Sequence, residues 1–113
     1  MFEYTATVTK VVDGDTVDVD VDLGMHVHTR TRLRLLGINA PEVSTASGKL
    51  AQGWARTVLP LGAFVTIKTE RDKTEKYGRW LASITMPDGR DYAQLAVETG
   101  HAVVWDGSGQ RPE

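Results

Sequence analysis

Three short stretches hold groups that could act on a charged substrate. Asp13-Gly14-Asp15 sets two carboxylates around a glycine in a turn. Arg34-Leu-Leu-Gly-Ile-Asn-Ala-Pro-Glu42 places a guanidinium at a strand end. An amide at Asn39 and a carboxylate at Glu42 then follow on the turn broken by Gly37 and Pro41. Asp72 to Arg79 is a charged loop that re-enters a strand at Arg79, with Lys76 and Tyr77 just before a glycine. An arginine fork suits two phosphate oxygens, a lysine adds a mobile point charge, and a tyrosine ring can lie against a base or sugar. Acids and bases are also segregated. Residues 1–25 carry six acids against Lys10, and residues 66–80 carry Lys68, Arg71, Lys73, Lys76 and Arg79 against three acids. Such a pattern suits a site for both a cation and an anion, and it equally suits cross-strand salt bridging. Taken singly, each stretch also reads as a strand exit or a solvated loop.

The elements that would position these groups are short. Residues 4–12 alternate β-branched and polar side chains and read as a strand. Thr16–Asp22 alternates cleanly, with Val17, Val19 and Val21 on one face and Asp18, Asp20 and Asp22 on the other. Leu23-Gly24-Met25 is a hairpin turn and residues 27–36 the returning strand, with Leu33 and Leu35 opposite Arg32 and Arg34. A turn near Gly24 pairs residues whose numbers sum to about 49, within a residue or two. Asp18 and Asp20 then face Arg30 and Arg32, and Asp15 comes close to Arg34. The Asp-Gly-Asp and Asn-Ala-Pro-Glu turns should therefore share one end of the sheet.

Ala46–Val58 reads as a helix with an apolar stripe of Leu50, Trp54 and Val58 plus Ala51 and Ala55. Thr45 or Ser47 caps it and Pro60 lies just past its end. Residues 63–69 and 80–86 are further strands, 92–99 is a short helix closed by Gly100, and 102–105 is extended. Residues 106–113 read as a frayed tail. Five strands with a helix between the third and fourth, and mostly hairpin connections otherwise, indicate an α+β chain built on a five-stranded Greek-key barrel of the OB-fold type, as one domain over 1–113.

The 113 residues include no cysteine, which excludes disulfides, thiolate zinc sites and cysteine nucleophiles. A net charge of -2 argues against a polycation that coats nucleic acid regardless of sequence. No apolar run reaches bilayer-spanning length, and Met1-Phe2-Glu3-Tyr4 lacks signal-peptide character, so a chain without membrane contact is expected, cytoplasmic as it stands or secreted if a leader has been removed. His26 and His28 read as exposed polar positions rather than a zinc site, His101 as a surface histidine, and Trp54 and Trp80 as core aromatics.

Asp13-Gly14-Asp15-Thr16, the Arg34 to Glu42 stretch and Lys76-Tyr77-Gly78-Arg79 together resemble the staphylococcal nuclease (thermonuclease) family, in order and in approximate spacing, from about Thr7 to Val104. The resemblance implies an OB-fold barrel with added helices that hydrolyses DNA and RNA with one calcium ion. It implies cleavage between phosphorus and the 5′ oxygen, leaving 3′-phosphate ends, with single strands preferred and a monomeric chain. By motif position Asp15 matches a calcium ligand, Asn39 stands where the family usually has a ligand aspartate, and the Ala40 backbone carbonyl matches a further ligand. Glu42 matches the glutamate that positions or deprotonates the attacking water, and Arg34 and Arg79 the two arginines on the scissile phosphate. Lys76 and Tyr77 match residues at a terminal phosphate, with Asp13 and Thr16 as supporting groups. Asn39 removes one negative charge, so weaker calcium binding is expected. A family aromatic near the base has no aligned equivalent, although Trp105 lies one position away. The alternatives are a nuclease-fold module that has lost catalysis and binds single strands or a protein, and an interaction domain whose charges only pair with one another.

Overall fold

A computed structural model describes residues 2–74 and 80–105, with the side chains of all but 70–74. Alternating apolar residues build the strands. β1 spans Phe2–Asp13, β2 Thr16–Asp22 and β3 His28–Leu35; after them come the two-residue β4, Ile38–Asn39, and the helix α1, Ala46–Val58. β5 (Phe64–Thr74) and β6 (Trp80–Thr85) complete the main sheet, and α2 (Tyr92–Glu98) and β7 (Val103–Val104) end the described chain. The five long strands close into a barrel in the order β1-β2-β3-β6-β5. This is the five-stranded OB-like α+β fold expected, with α1 between the third and fourth barrel strands. Among the described residues no helix is long and apolar enough to cross a membrane.

Closure depends on β1. Its residues 2–7 pair with β5 and residues 5–13 with β2, with register shifts after Val8 and Val11 that bend the strand between its two partners. A parallel contact of β3 with β6, Leu33 opposite Trp80 and Leu35 opposite Ala82, seals the other seam. Val8, Val17, Val19, Leu33, Leu35, Ile67, Ala82 and Ile84 fill the interior and are essentially inaccessible.

The β2–β3 hairpin fixes the end of the barrel that matters. Thr16 pairs with Arg34, Asp18 with Arg32 and Asp20 with Arg30, a sum of 50. Arg32 forks onto Asp18, at 2.7 Å from Nε and 3.0 Å from Nη2. Asp20 faces Arg30 as expected, and its carboxylate also lies 3.4 Å from His28 Nδ1. His26 is not on a strand. Met25 and His26 take left-handed φ values of 54° and 63°, which extends the turn to Val27 and delays β3 to His28.

The bounds of α1 are those expected. Thr45 caps it, its Oγ1 accepting from Gly48 N at 3.0 Å. Thr45→Ala is expected to cost about 1 kcal/mol, read as a lower thermal midpoint. The buried stripe, however, is Gly48, Ala51 and Ala55, while Leu50 is 70 % exposed. Small residues suit that face because Ala51 meets the Gly14 turn and Gly48 the Glu42 backbone, where a longer side chain has no room. The expected extended segment at 102–105 becomes β7, which pairs with β4 through Ile38–Val104 and Asn39–Val103. This small ladder carries the chain after α2 back to the end of β3. The tail 106–113 lies outside the described residues.

Candidate nuclease-type site at the Asp15 end of the barrel

The two turns predicted to meet do meet. Asp15, at the tip between β1 and β2, is 1 % exposed, and its Oδ2 accepts from the Ala40 N–H at 2.8 Å. Leu35 N–H donates to the Asp15 carbonyl at 2.8 Å, which ties the same residue to the end of β3. Thr16 Oγ1 donates to Asp15 Oδ1 at 3.2 Å. Asp13 accepts the Asp15 N–H on its Oδ1 at 3.0 Å, a side-chain turn that fixes the tip.

Arg34 is folded into this acid. Its Nη1 donates to the Leu35 carbonyl at 2.8 Å, and its Nη2 lies 3.4 Å from Asp15 Oδ2 and 3.5 Å from Asn39 Oδ1. The guanidinium carbon sits 5.8 Å from the centre of the Trp105 ring, within cation–π range. Trp105 is brought there by the β4–β7 ladder and by its own N–H, which donates to the Gly37 carbonyl at 2.9 Å. Arg34, Asn39 and Asp15 are all buried, so their mutual attraction is screened far less than that of a surface pair.

The two carboxylates divide their roles through environment. Burial pushes the Asp13 carboxyl well above the ordinary carboxylate range, helped by its hydrogen bond to Asp15 and by the charge on Asp15. Burial also works to raise Asp15. The hydrogen bonds from Asp13 and Ala40 N–H, together with the Arg34 charge, outweigh it and hold Asp15 low. Asp15 is therefore the charged member of the pair, and it faces Arg34.

Glu42 is mounted two residues beyond Ala40 on the exposed turn that enters α1. Its carbonyl accepts from Thr45 N at 3.0 Å and from Thr45 Oγ1 at 2.6 Å. The structure thus brings Asp13, Asp15, Thr16, Arg34, Asn39 and Ala40 into one hydrogen-bonded cluster, with Glu42 on the adjoining turn. Arg79, Lys76 and Tyr77 lie outside the described residues.

The donor set suits a hard cation. Hard cations take oxygen ligands, and Asp15, Asn39 and the Ala40 carbonyl offer only oxygens. The side-chain oxygens of Asp15 and Asn39 already converge on one positive group, the Arg34 guanidinium. No group of three or more His, Cys, Asp or Glu able to hold a metal occurs among the described residues, so a cation at this end of the barrel would have to draw on the amide and the carbonyl as well as on Asp15. His26 and His28 form no such group.

Two features were not read from the sequence. Tyr92, the first residue of α2, is fully buried and donates its hydroxyl to the Gly14 carbonyl at 2.7 Å. Burial, and then the charges of Asp15 and Asp13, raise its pKa and keep the phenol protonated. The Trp105 contact with Arg34 depends on a two-residue ladder that periodicity cannot reveal. The concave spaces elsewhere are separate from this cluster. A cavity of about 370 Å³ opens between Tyr4, Leu33 and Trp80, and a second of about 440 Å³ lies by Lys10, Asp18 and Arg32; neither is lined by Asp15, Asn39 or Glu42.

A family model described as staphylococcal nuclease homologue matches residues 32–113, well over half of the chain. A comparison with curated proteins gives no match. The matched span holds Arg34, Asn39, Ala40 and Glu42, whereas Asp13, Asp15 and Thr16 precede it. Those three join the span through space, by the Asp15 contacts to Leu35, Ala40 and Arg34.

Proposed function

Because the chain belongs to the staphylococcal nuclease homologue family, we propose that it is a calcium-dependent nuclease that hydrolyses phosphodiester bonds of DNA and RNA with little sequence preference. The observation that carries this reading is the convergence of Asp15, Asn39 and Arg34 at the turn that Glu42 leaves. Single strands are the preferred substrate, because their backbone can reach a site set at the end of a barrel.

Asp15, Asn39 and the Ala40 carbonyl would hold the calcium ion. When bound, calcium supplies positive charge beside the phosphate and stabilises the charge that builds during hydrolysis. Glu42 orients a water against phosphorus and takes its proton. The new bond forms from that water oxygen to phosphorus as the bond to the 5′ oxygen breaks. The departing 5′ oxygen takes up a proton, so a 5′-hydroxyl and a 3′-phosphate result. Arg34 and Arg79 bind the non-bridging oxygens, and their guanidiniums bond more strongly as charge accumulates in the transition state. Lys76 and Tyr77 hold a neighbouring phosphate, and Trp105, already beside Arg34, offers a face on which a base can stack. Asp13 and Thr16 keep Asp15 in place.

Asn39 favours a second reading, a binding module without catalysis, since an amide contributes no charge to the cation. Calorimetric titration separates the two. One calcium per chain is expected, with a rise in thermal midpoint as calcium is added. Asn39→Asp is expected to tighten binding roughly tenfold, because ligand charge count sets calcium affinity. Without calcium the same variant should be less stable than the wild type, since it adds a third carboxylate to the cluster of Asp13 and the buried Asp15. No calcium heat from either protein would favour the binding module.

A further inference from the structure

We propose that Tyr92 is a positioning residue for the acidic turn, its hydroxyl setting where the Asp15 carboxylate stands. The functional consequence rests on the nuclease reading, while the geometric claim stands independently.

The Gly14 carbonyl and the Asp15 N–H belong to one planar peptide, so neither can turn without the other. Tyr92 Oη donates to that carbonyl at 2.7 Å, and the N–H donates to Asp13 Oδ1 at 3.0 Å. Both ends of the peptide plane are thus pinned. Gly14 is also pressed from the sides. A Cβ there would stand 2.7 Å from Ala40 Cβ and 3.3 Å from Ala51 Cβ, so the turn fits between β4 and α1 with no spare volume. Further restraints on Asp15 come from Thr16, β3 and the Ala40 turn. Tyr92 reaches the tip from α2, across 78 residues of sequence.

Tyr92 is itself held firmly. Asp91 caps α2, its Oδ2 accepting from Gln94 N at 3.0 Å, and this sets the first helical residue. The Tyr92 ring packs on Trp54 with centroids 5.4 Å apart, and Trp54 stacks on His101 at 4.6 Å and 7°. Removing the hydroxyl leaves a buried carbonyl without this donor, and the peptide can regain a partner only by rotating. Rotation would carry the Asp13 bond and the Asp15 carboxylate with it. Tyr92→Phe should therefore loosen the acidic tip far more than the barrel.

Amide hydrogen exchange by NMR tests this on the whole chain, with Ile84→Val as a control that weakens the buried core and leaves the tip untouched. In Tyr92→Phe, exchange at Asp15 and Ala40 is expected to quicken by about tenfold beyond the change at Val19 and Ile84, a hydrogen bond's worth of local opening. In Ile84→Val all four amides should change alike. Calcium affinity by calorimetry is expected to fall severalfold in Tyr92→Phe and to hold in Ile84→Val. Uniform exchange changes in Tyr92→Phe would overturn the proposal. If the wild type binds no calcium, the nuclease reading fails and the exchange comparison still decides the role of Tyr92. If Tyr92→Phe does not fold, 3-fluorotyrosine at position 92, which keeps the hydroxyl and strengthens it as a donor, should slow exchange at Ala40; unchanged or faster exchange would overturn the proposal.

Discussion

Glu42→Gln is expected to slow cleavage of denatured DNA by on the order of a hundredfold or more at saturating calcium, the range lost with a general base. The amide keeps the shape of the side chain and loses both its charge and its capacity to take a proton. The barrel should remain folded. Glu42 is exposed, and its backbone carbonyl, which the substitution leaves unchanged, accepts from Thr45 N and Oγ1. Thermal unfolding of the variant should show a cost of at most about 1 kcal/mol, the range of an exposed charged contact. Initial rates and melting curves measured on the same preparation separate the two effects. A rate within threefold of wild type would remove Glu42 from the chemistry.

Gly48→Ala is expected to damage both stability and activity. A Cβ at Gly48 would overlap the Glu42 carbonyl oxygen and stand 2.8 Å from Val43 N. Both are backbone atoms, so no side chain can swing aside. The first turn of α1 would have to move away from the segment that carries Glu42, straining the Thr45 cap bond to Gly48 N. The cost should be about 3 kcal/mol or more, the upper range for overpacking. This outweighs the gain of roughly 1 kcal/mol that alanine brings to a helix. Gly53, on the same helix with nothing within 4 Å of an added Cβ, is the control. Gly53→Ala should stabilise by up to about 1 kcal/mol and leave activity unchanged. Chemical denaturation of the two variants therefore gives opposite signs. Equal midpoints would show that α1 does not press on the Glu42 turn.

The parts of this site that could be read from sequence were those carried by local pattern. The alternation of Val17, Val19 and Val21 with three aspartates fixes a face and a register, and the observed pairing lies one residue from the sum expected. That register alone was enough to bring Asp15 to Arg34. Thr45 and Pro60 mark the ends of α1 because a cap and a missing N–H act within one turn of chain. What could not be read depends on packing between distant segments. Leu50 has the right spacing for the core face, yet the helix turns Gly48, Ala51 and Ala55 inward, with Ala51 against the Gly14 tip and Gly48 against the Glu42 backbone, where there is room only for small side chains. The β4–β7 ladder has two residues per strand, too few for any periodicity, and it exists because α2 returns the chain beside Asn39. Tyr92 looks like an ordinary helix residue until its hydroxyl is seen on Gly14. Asp20 lies opposite Arg30, yet the contact of its carboxylate with His28 was not legible, because register leaves open which cross-strand neighbour a side chain approaches.

The central claim is that the Asp15 end of the barrel is a calcium-dependent phosphodiesterase site. It is tested most directly by incubating the purified chain with denatured DNA, and separately with RNA, in calcium, in magnesium and in chelator, and then analysing the product ends. Cleavage in calcium, its loss in chelator, and 3′-phosphate ends on the products are the results predicted. Intact substrate at every calcium concentration, from a sample shown to be folded, would contradict the claim.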